Sequence, residues 1–160
     1  SQGNVIGINT AIYGNQGSIG IGFAMPINRA REMVEAFSSG RKYAPPVLGV
    51  SVLPIAGDLA EELGYPAEGG LLVLSVRRGS AAAEAGIRGG NRTVVIGGYE
   101  VPIGGDLITL INGRKAESGD SIPRALRGKR GGDPIEIEFL RGKQKQKVTA
   151  RLQAATEDRL

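Results

Sequence analysis

The side chains that do chemistry at enzyme centres are thinly supplied in this 160-residue chain, which has no histidine and no cysteine. A Ser-His-Asp or Cys-His nucleophile system cannot be assembled from it, and the common zinc sites are excluded as well. The carboxylates are scattered or stand where they would cap helices, with no oxygen-ligand loop for calcium. Gly17-Ser-Ile-Gly20-Ile-Gly22 has a superficial dinucleotide fingerprint, but the spacing is wrong and a strand closed by Pro26 leaves no helix start at the glycines. The Gly-Lys pairs at 128–129 and 142–143 lack the upstream glycine and following Ser/Thr of a phosphate loop. No cofactor and no metal is expected. One stretch could work through its backbone instead. Val47-Leu-Gly-Val-Ser-Val-Leu53 is an apolar, β-branched run placed after Ala44-Pro45-Pro46 and predicted as a strand. Gly49 lets the backbone turn its amides outward, and a glycine-bearing turn feeding an exposed strand can hold the carboxylate end of another chain.

The elements that must position this strand are short. Glycine is abundant, at 26 residues, and aromatics make up only 4% of the chain, with no tryptophan. That implies many short strands and tight turns around a Val, Ile, Leu and Ala core. Strands are predicted over residues 5–12 and 19–25, with a polar loop over 13–18 between them. An amphipathic helix over about 29–39 has Asn28 as N-cap and Ala30, Met33, Val34 and Phe37 on one face. A hairpin and one such helix cannot bury each other, so this segment needs a partner. Residues 43–46 read as a linker stiffened by proline.

Beyond the linker the pattern is self-sufficient. Asp58 and Glu61 have capping-box spacing before a turn ended by Gly64. Residues 71–76 form an apolar strand, and Ser80 caps a small helix stopped by Gly86. A glycine-bounded excursion, 89–105, carries two strands; 106–111 forms another, ending in the turn pair Asn112-Gly113. A helix over about 121–127 must have its N-cap near Asp120, because Pro123 cannot lie deep inside it. Two alternating strands, 135–140 and 145–152, close the domain around Arg141-Gly-Lys143, and residues 154–160 form a tail.

The net charge is +4. Between Arg124 and Lys147 eight basic residues face only Asp133, Glu136 and Glu138. No aromatics interleave with them to stack on bases, so no nucleic-acid partner is expected, and the charges read as a solvated face protecting an edge strand. No apolar run approaches the ~20 residues of a membrane helix, so no membrane insertion is expected.

Two motif sets resemble one family. Gly3-Asn-Val-Ile-Gly-Ile-Asn-Thr-Ala-Ile12 with Gly20-Ile-Gly-Phe-Ala-Met-Pro-Ile-Asn28 resembles the end of the protease domain in HtrA/Deg-type trypsin-like serine proteases. Leu48-Gly-Val, Gly70–Val76, Gly79–Gly86, Gly105-Asp-Leu-Ile and Ile111-Asn-Gly113 resemble that family's C-terminal PDZ domain. The fold class implied is α+β, mostly β: a PDZ-like, partly open barrel of short strands with two to three short helices. It follows a β-hairpin (5–25) and helix (29–39) left over from a trypsin-like β-barrel. The implied division is 1–42 for the protease remnant, 43–46 for the linker and 47–153 for the PDZ domain.

The resemblance implies a parent serine endopeptidase of protein quality control, working in the periplasm or cell envelope. This chain, without nucleophile motif or histidine, would be inert alone. Asn9, Thr10, Ala11, Gly20, Ile21 and Gly22 would be latent parts of the protease's substrate pocket. Peptide or protein C-termini, including those of unfolded proteins, would add antiparallel to Val50–Leu53. The amides of Leu48, Gly49 and Val50 would hold the carboxylate, and the wider site would span Val47, Ser51 and Val52. Ile122, Ala125 and Leu126 would complete an apolar pocket. The competing reading has Leu48, Val50, Ile122 and Leu126 simply packed as core, in a PDZ domain that only mediates protomer contacts. Residues 1–28, cut from their barrel, are expected to self-associate, pair with another chain or drape over the PDZ domain.

Overall fold

The computed structural model describes residues 2–12, 22–40 and 45–154. The chain divides into two compact units, Ser1–Tyr43 and Ala44–Leu160.

In the first unit, β1 (Gly7–Ile12) pairs antiparallel with β2 (Gly22–Pro26), and α1 (Ile27–Ser38) follows directly. The first strand begins later than predicted: Val5 and Ile6 precede the ladder and are exposed. The predicted 13–18 loop and residues 19–21 lie outside the described residues. Asn28 is not the N-cap. Pro26 takes that position with φ −56°, and Asn28 falls in the first turn without a capping bond. A proline φ is already helical, so the chain can pass from strand to helix with no polar cap. Of the predicted apolar face, Ala30 is buried, whereas Val34 and Phe37 are 63% and 80% exposed.

The second unit is built on one antiparallel sheet. Its strands in chain order are β3 (Pro46–Val47), β4 (Val50–Ile55), β5 (Gly70–Val76), β6 (Arg92–Ile96), β7 (Tyr99–Ile103), β8 (Leu107–Ile111), β9 (Arg114–Lys115), β10 (Pro134–Arg141), β11 (Gln144–Arg151) and β12 (Gln153–Ala154). The helices are α2 (Gly57–Glu62), α3 (Ala81–Glu84) and α4 (Ser121–Leu126). The main sheet runs β11-β10-β8-β5-β4, with β9 hairpinned onto β8; β3 pairs with β12, and β6 with β7. The sheets are open, mostly β with short helices, and do not close into a barrel.

Alternation along the strands gives the sheet two cores. Leu71, Val73, Ile108, Ile137 and Phe139 pack on one face with Leu48, Ala81, Ala82 and Ile122. Leu72 and Leu107 point to the other face, with Ile55, Ala60 and Ile103 beneath α2 and the β6–β7 hairpin. Glycines permit close approach at the hairpin's base. A Cβ on Gly105 would collide with the Val73 carbonyl and come within 2.9 Å of Gly89 and Gly90 backbone atoms. Asp106, beside it, is buried and fully used: it accepts from the Arg88 amide (2.8 Å) and from Arg141 through both oxygens (2.8 and 2.7 Å). Arg141 also donates to the Gly86 carbonyl and lies over the Phe139 ring. This ties the end of β10, the start of β8 and the end of α3 together. The hydrogen bond to Asp106 raises the pKa of the Arg141 guanidinium further.

Two further expectations are corrected. Asp58 and Glu61 do not form a capping box: α2 begins at Gly57 after Ala56, which puts Asp58 inside the first turn rather than at the N-cap, and the Gly57 amide bonds to the Ala67 carbonyl at 2.8 Å. Arg141 belongs to β10, since its register opposite Gln144 leaves only Gly142-Lys143 for the turn.

Candidate functional site

The predicted single strand over 47–53 is broken. Val47 pairs with Gln153 in β3–β12, Leu48 and Gly49 leave the ladder, and β4 begins at Val50. The break has a local cause. Gly49 sits at φ +83°, a left-handed conformation that glycine alone adopts freely. Its α-carbon lies against Ser80, whose Cβ would collide with any side chain on Gly49.

This turn fixes where the peptide groups point. The Leu48 carbonyl accepts from the Ala82 amide at 3.0 Å. The Gly49 carbonyl accepts from the Arg77 amide at 2.9 Å and the Ser80 hydroxyl at 3.4 Å. Ser80 also caps α3 by accepting from the Ala83 amide. Both carbonyls are thus tied back to the body of the unit. The Leu48 and Gly49 amides find no acceptor among the described residues. Gln153 braces the base of the turn by donating to the Gly79 carbonyl at 2.7 Å.

A groove of about 490 Å³ opens in front of these amides. Val47, Leu48, Gly49, Val50 and Ser51 line it together with Ile122 and Leu126 of α4. Pro123 does not disturb that helix: it is the third residue, where no intrahelical donor is needed, and Asp120 takes the N-cap position as expected. Leu48 and Ile122 are both core and lining, with 2% and 9% of their surface left exposed at the groove floor. Val52 is half-buried on β4 but does not line the groove. Ala125 lies elsewhere, lining a separate hollow with Ile111, Asn112, Arg114 and Arg124. Ile122, Ala125 and Leu126 all belong to or pack against the same core cluster, but only Ile122 and Leu126 line the groove.

Ser75, Val76 and Arg77 line the groove but were not expected. The register shift between Ser51 and Val52 sets Ser75 and Val76 opposite Ser51 and Val50, which brings Arg77 to the Gly49 turn. No sequence pattern announces that bulge, although Arg77 at the end of a buried strand was a usable signal. Arg77 is the only charged residue among the described lining, so the groove's one formal charge suits an anion.

In the first unit, Asn9 and Thr10 lie on β1, Thr10 donating to the Phe23 carbonyl, and Gly22 opens β2 opposite Ile12. Gly20 and Ile21 lie outside the described residues. Among the described residues no cluster of acidic side chains could hold a metal, and no helix is long and apolar enough to cross a membrane.

Comparison with known proteins gives this geometry a family. The family model for the PDZ domain matches residues 46–152. Protease Do-like 1, chloroplastic, of Arabidopsis thaliana is 34% identical over 99% of this chain and 34% of its own length. A probable periplasmic serine endoprotease, DegP-like, of Rhizobium meliloti is 29% identical over 98% of this chain and 28% of its own. The chain thus spans about a third of the length of the curated relatives it matches. Among solved structures, the HtrA-type protease AlgW with a decapeptide is similar with a TM-score of 0.69 and 34% identity, covering 96% of this chain and 43% of that one. The chain belongs to the PDZ domain family, in the form of the C-terminal, PDZ-bearing part of HtrA/Deg-type serine proteases.

Proposed function

We propose that the groove between β4 and α4 captures the C-termini of peptides and proteins, unfolded ones included. The observation that carries this reading is the Leu48–Gly49 turn. The Leu48 and Gly49 amides have no acceptor among the described residues. The carbonyls of Leu48 and Gly49, tied to Ala82, Arg77 and Ser80, turn the amides that follow them, those of Gly49 and Val50, away from the body of the unit. A terminal carboxylate satisfies such amides with charge-assisted hydrogen bonds, and Arg77 adds a favourable field. The open edge of β4 pairs with the extended tail, and Leu48, Val50, Ile122 and Leu126 take its last side chain. Val47 and Ser51 complete the lining, and Val52 extends the edge.

In this reading residues 1–42 are the closing segment of a trypsin-like protease domain, joined to the PDZ domain through residues 43–46. Asn9, Thr10, Ala11, Gly20, Ile21 and Gly22 then belong to that protease's substrate pocket. The whole protein is a serine endopeptidase of protein quality control outside the cytoplasm, in keeping with the periplasmic names of bacterial relatives and the chloroplastic name of the plant one.

Calorimetric titration with short peptides ending in an apolar residue tests the groove. A free-acid peptide should bind, and its amide should bind at least tenfold more weakly. Equal affinities, or no binding of the free acid at millimolar concentration, would favour a PDZ domain that serves only contacts between protomers.

A further inference from the structure

The edge that a bound tail would extend contains a proline. Which peptide groups face that edge follows from the ladder. Val73 donates its amide to the Asp106 carbonyl at 2.9 Å, on the β8 side of β5. Peptide groups alternate sides along an antiparallel strand. Leu72 therefore faces β4, whereas Val73 and Leu71 face β8. Their partners across the ladder, Val52 and Pro54, turn away from β5 to the open edge. Beyond the register shift, the Arg77 amide bonds to the Gly49 carbonyl, which places Val50, opposite Val76, on the same outward side. The open edge thus offers an amide and a carbonyl at Val50 and again at Val52. At Pro54 it offers a carbonyl alone, because proline has no N–H. Pro54 is exposed, and its ring costs the fold no ladder bond on this side.

We infer that Pro54 is a specificity-determining residue that sets how much of a bound tail the groove reads. The inference rests on the reading of the groove as a site for peptide C-termini. A tail whose carboxylate sits at Leu48–Gly49 runs antiparallel along β4, pairs with Val50 and Val52, and meets Pro54 about four residues upstream of its last one. There its carbonyl finds no donor and the ladder ends half-made. Residues further upstream add little affinity, so the groove accepts tails that emerge only briefly from whatever precedes them. The same missing donor keeps two copies of β4 from zipping together edge to edge.

The test uses the 160-residue chain and two free-acid peptides sharing the same apolar last four residues. One is a tetrapeptide, and the other an octapeptide extended with Gly and Ser. Wild-type affinities should agree within about twofold. Pro54→Val restores the donor; it should bind the octapeptide about fivefold tighter, the gain of one backbone hydrogen bond, and leave the tetrapeptide unchanged. Hydrogen exchange on the wild-type complex needs no variant: octapeptide amides more than four residues from the end should exchange as in free peptide. A wild-type preference of tenfold or more for the octapeptide, protection of its upstream amides, or a correctly folded Pro54→Val chain without the gain would overturn the inference. Those results leave the capture of C-termini standing wherever free acid still outcompetes amide. Loss of that discrimination in wild type would bring down both.

Discussion

Gly49→Ala is the sharpest probe of the turn that aims the amides, and its cost can be worked from two sources. At φ +83° an alanine carries the left-handed penalty, about 1–2 kcal/mol. Its Cβ would also collide with the Ser80 Cβ and stand 2.6 Å from the hydroxyl, with Ser80 itself buried. Forcing a methyl into such a contact costs about 1–3 kcal/mol. Together these remove about 2–5 kcal/mol from a domain whose whole stability is of order 5–15 kcal/mol. Urea denaturation followed by circular dichroism would measure it. The second half of the cost can be isolated with Ser80→Gly, which removes the colliding atoms and, as a helix cap, costs only a few tenths of a kcal/mol. In the double variant the collision is gone while the backbone strain persists. The two substitutions should therefore couple by about 1–3 kcal/mol, the double variant being more stable than their sum predicts. Additivity within about 0.5 kcal/mol, or a Gly49→Ala chain as stable as wild type, would refute the argument that Ser80 and Gly49 shape the turn jointly.

Asp106→Ala should destabilise the chain by about 3–5 kcal/mol, because it strands the Arg141 guanidinium. Asp106→Ala combined with Arg141→Met should recover much of that loss in the same denaturation assay. Leu126 is half-buried at the groove wall, so Leu126→Ala should weaken binding of apolar-ended peptides several-fold, with a smaller effect on peptides ending in glycine; equal losses would argue against a side-chain pocket. The Glu138 carboxyl titrates below its ordinary range, chiefly because Lys145 hydrogen-bonds to it and secondarily through Lys147. Its contribution is present above the unfolded glutamate pKa and is lost as pH falls through the depressed folded value. Lys145→Met should raise the Glu138 midpoint in an NMR titration and flatten the acid limb of the stability curve.

Local chemistry was legible where one or two residues decide the backbone. Asn112 and Gly113 both take positive φ, 49° and 73°, as a tight hairpin demands, and Ser80 caps α3. The β10–β11 and β6–β7 hairpins followed from alternation and paired glycines. What stayed hidden depends on residues distant in sequence. The break at Leu48–Gly49 combines the left-handed Gly49 with the claim of Ala82 and Arg77 on the Leu48 and Gly49 carbonyls, and because those partners are distant an unbroken apolar run looks like one strand. Arg77 and Ser75 reach the groove only through a bulge, which leaves no trace in residue type. Ala125, expected with Ile122 and Leu126 on the groove-facing side of the helix, packs on the same core but lines the hollow beside Ile111 and Asn112 instead. The Asp106–Arg141 pair joins residues 35 positions apart, and neither has a neighbour that hints at the other.

The β6–β7 hairpin ends in Gly97-Gly98, with φ of 56° and 86°, flanked by the exposed Val95 and Tyr99. Added atoms at either glycine would meet nothing within 4 Å. The hairpin is anchored at its root, where Gly89, Gly90 and Gly105 pack backbone to backbone, and it covers the sheet face opposite the groove. Its tip is therefore a natural mounting point: a dye, an affinity tag or a short inserted loop could be carried there, reporting on the molecule without standing in the path of a ligand.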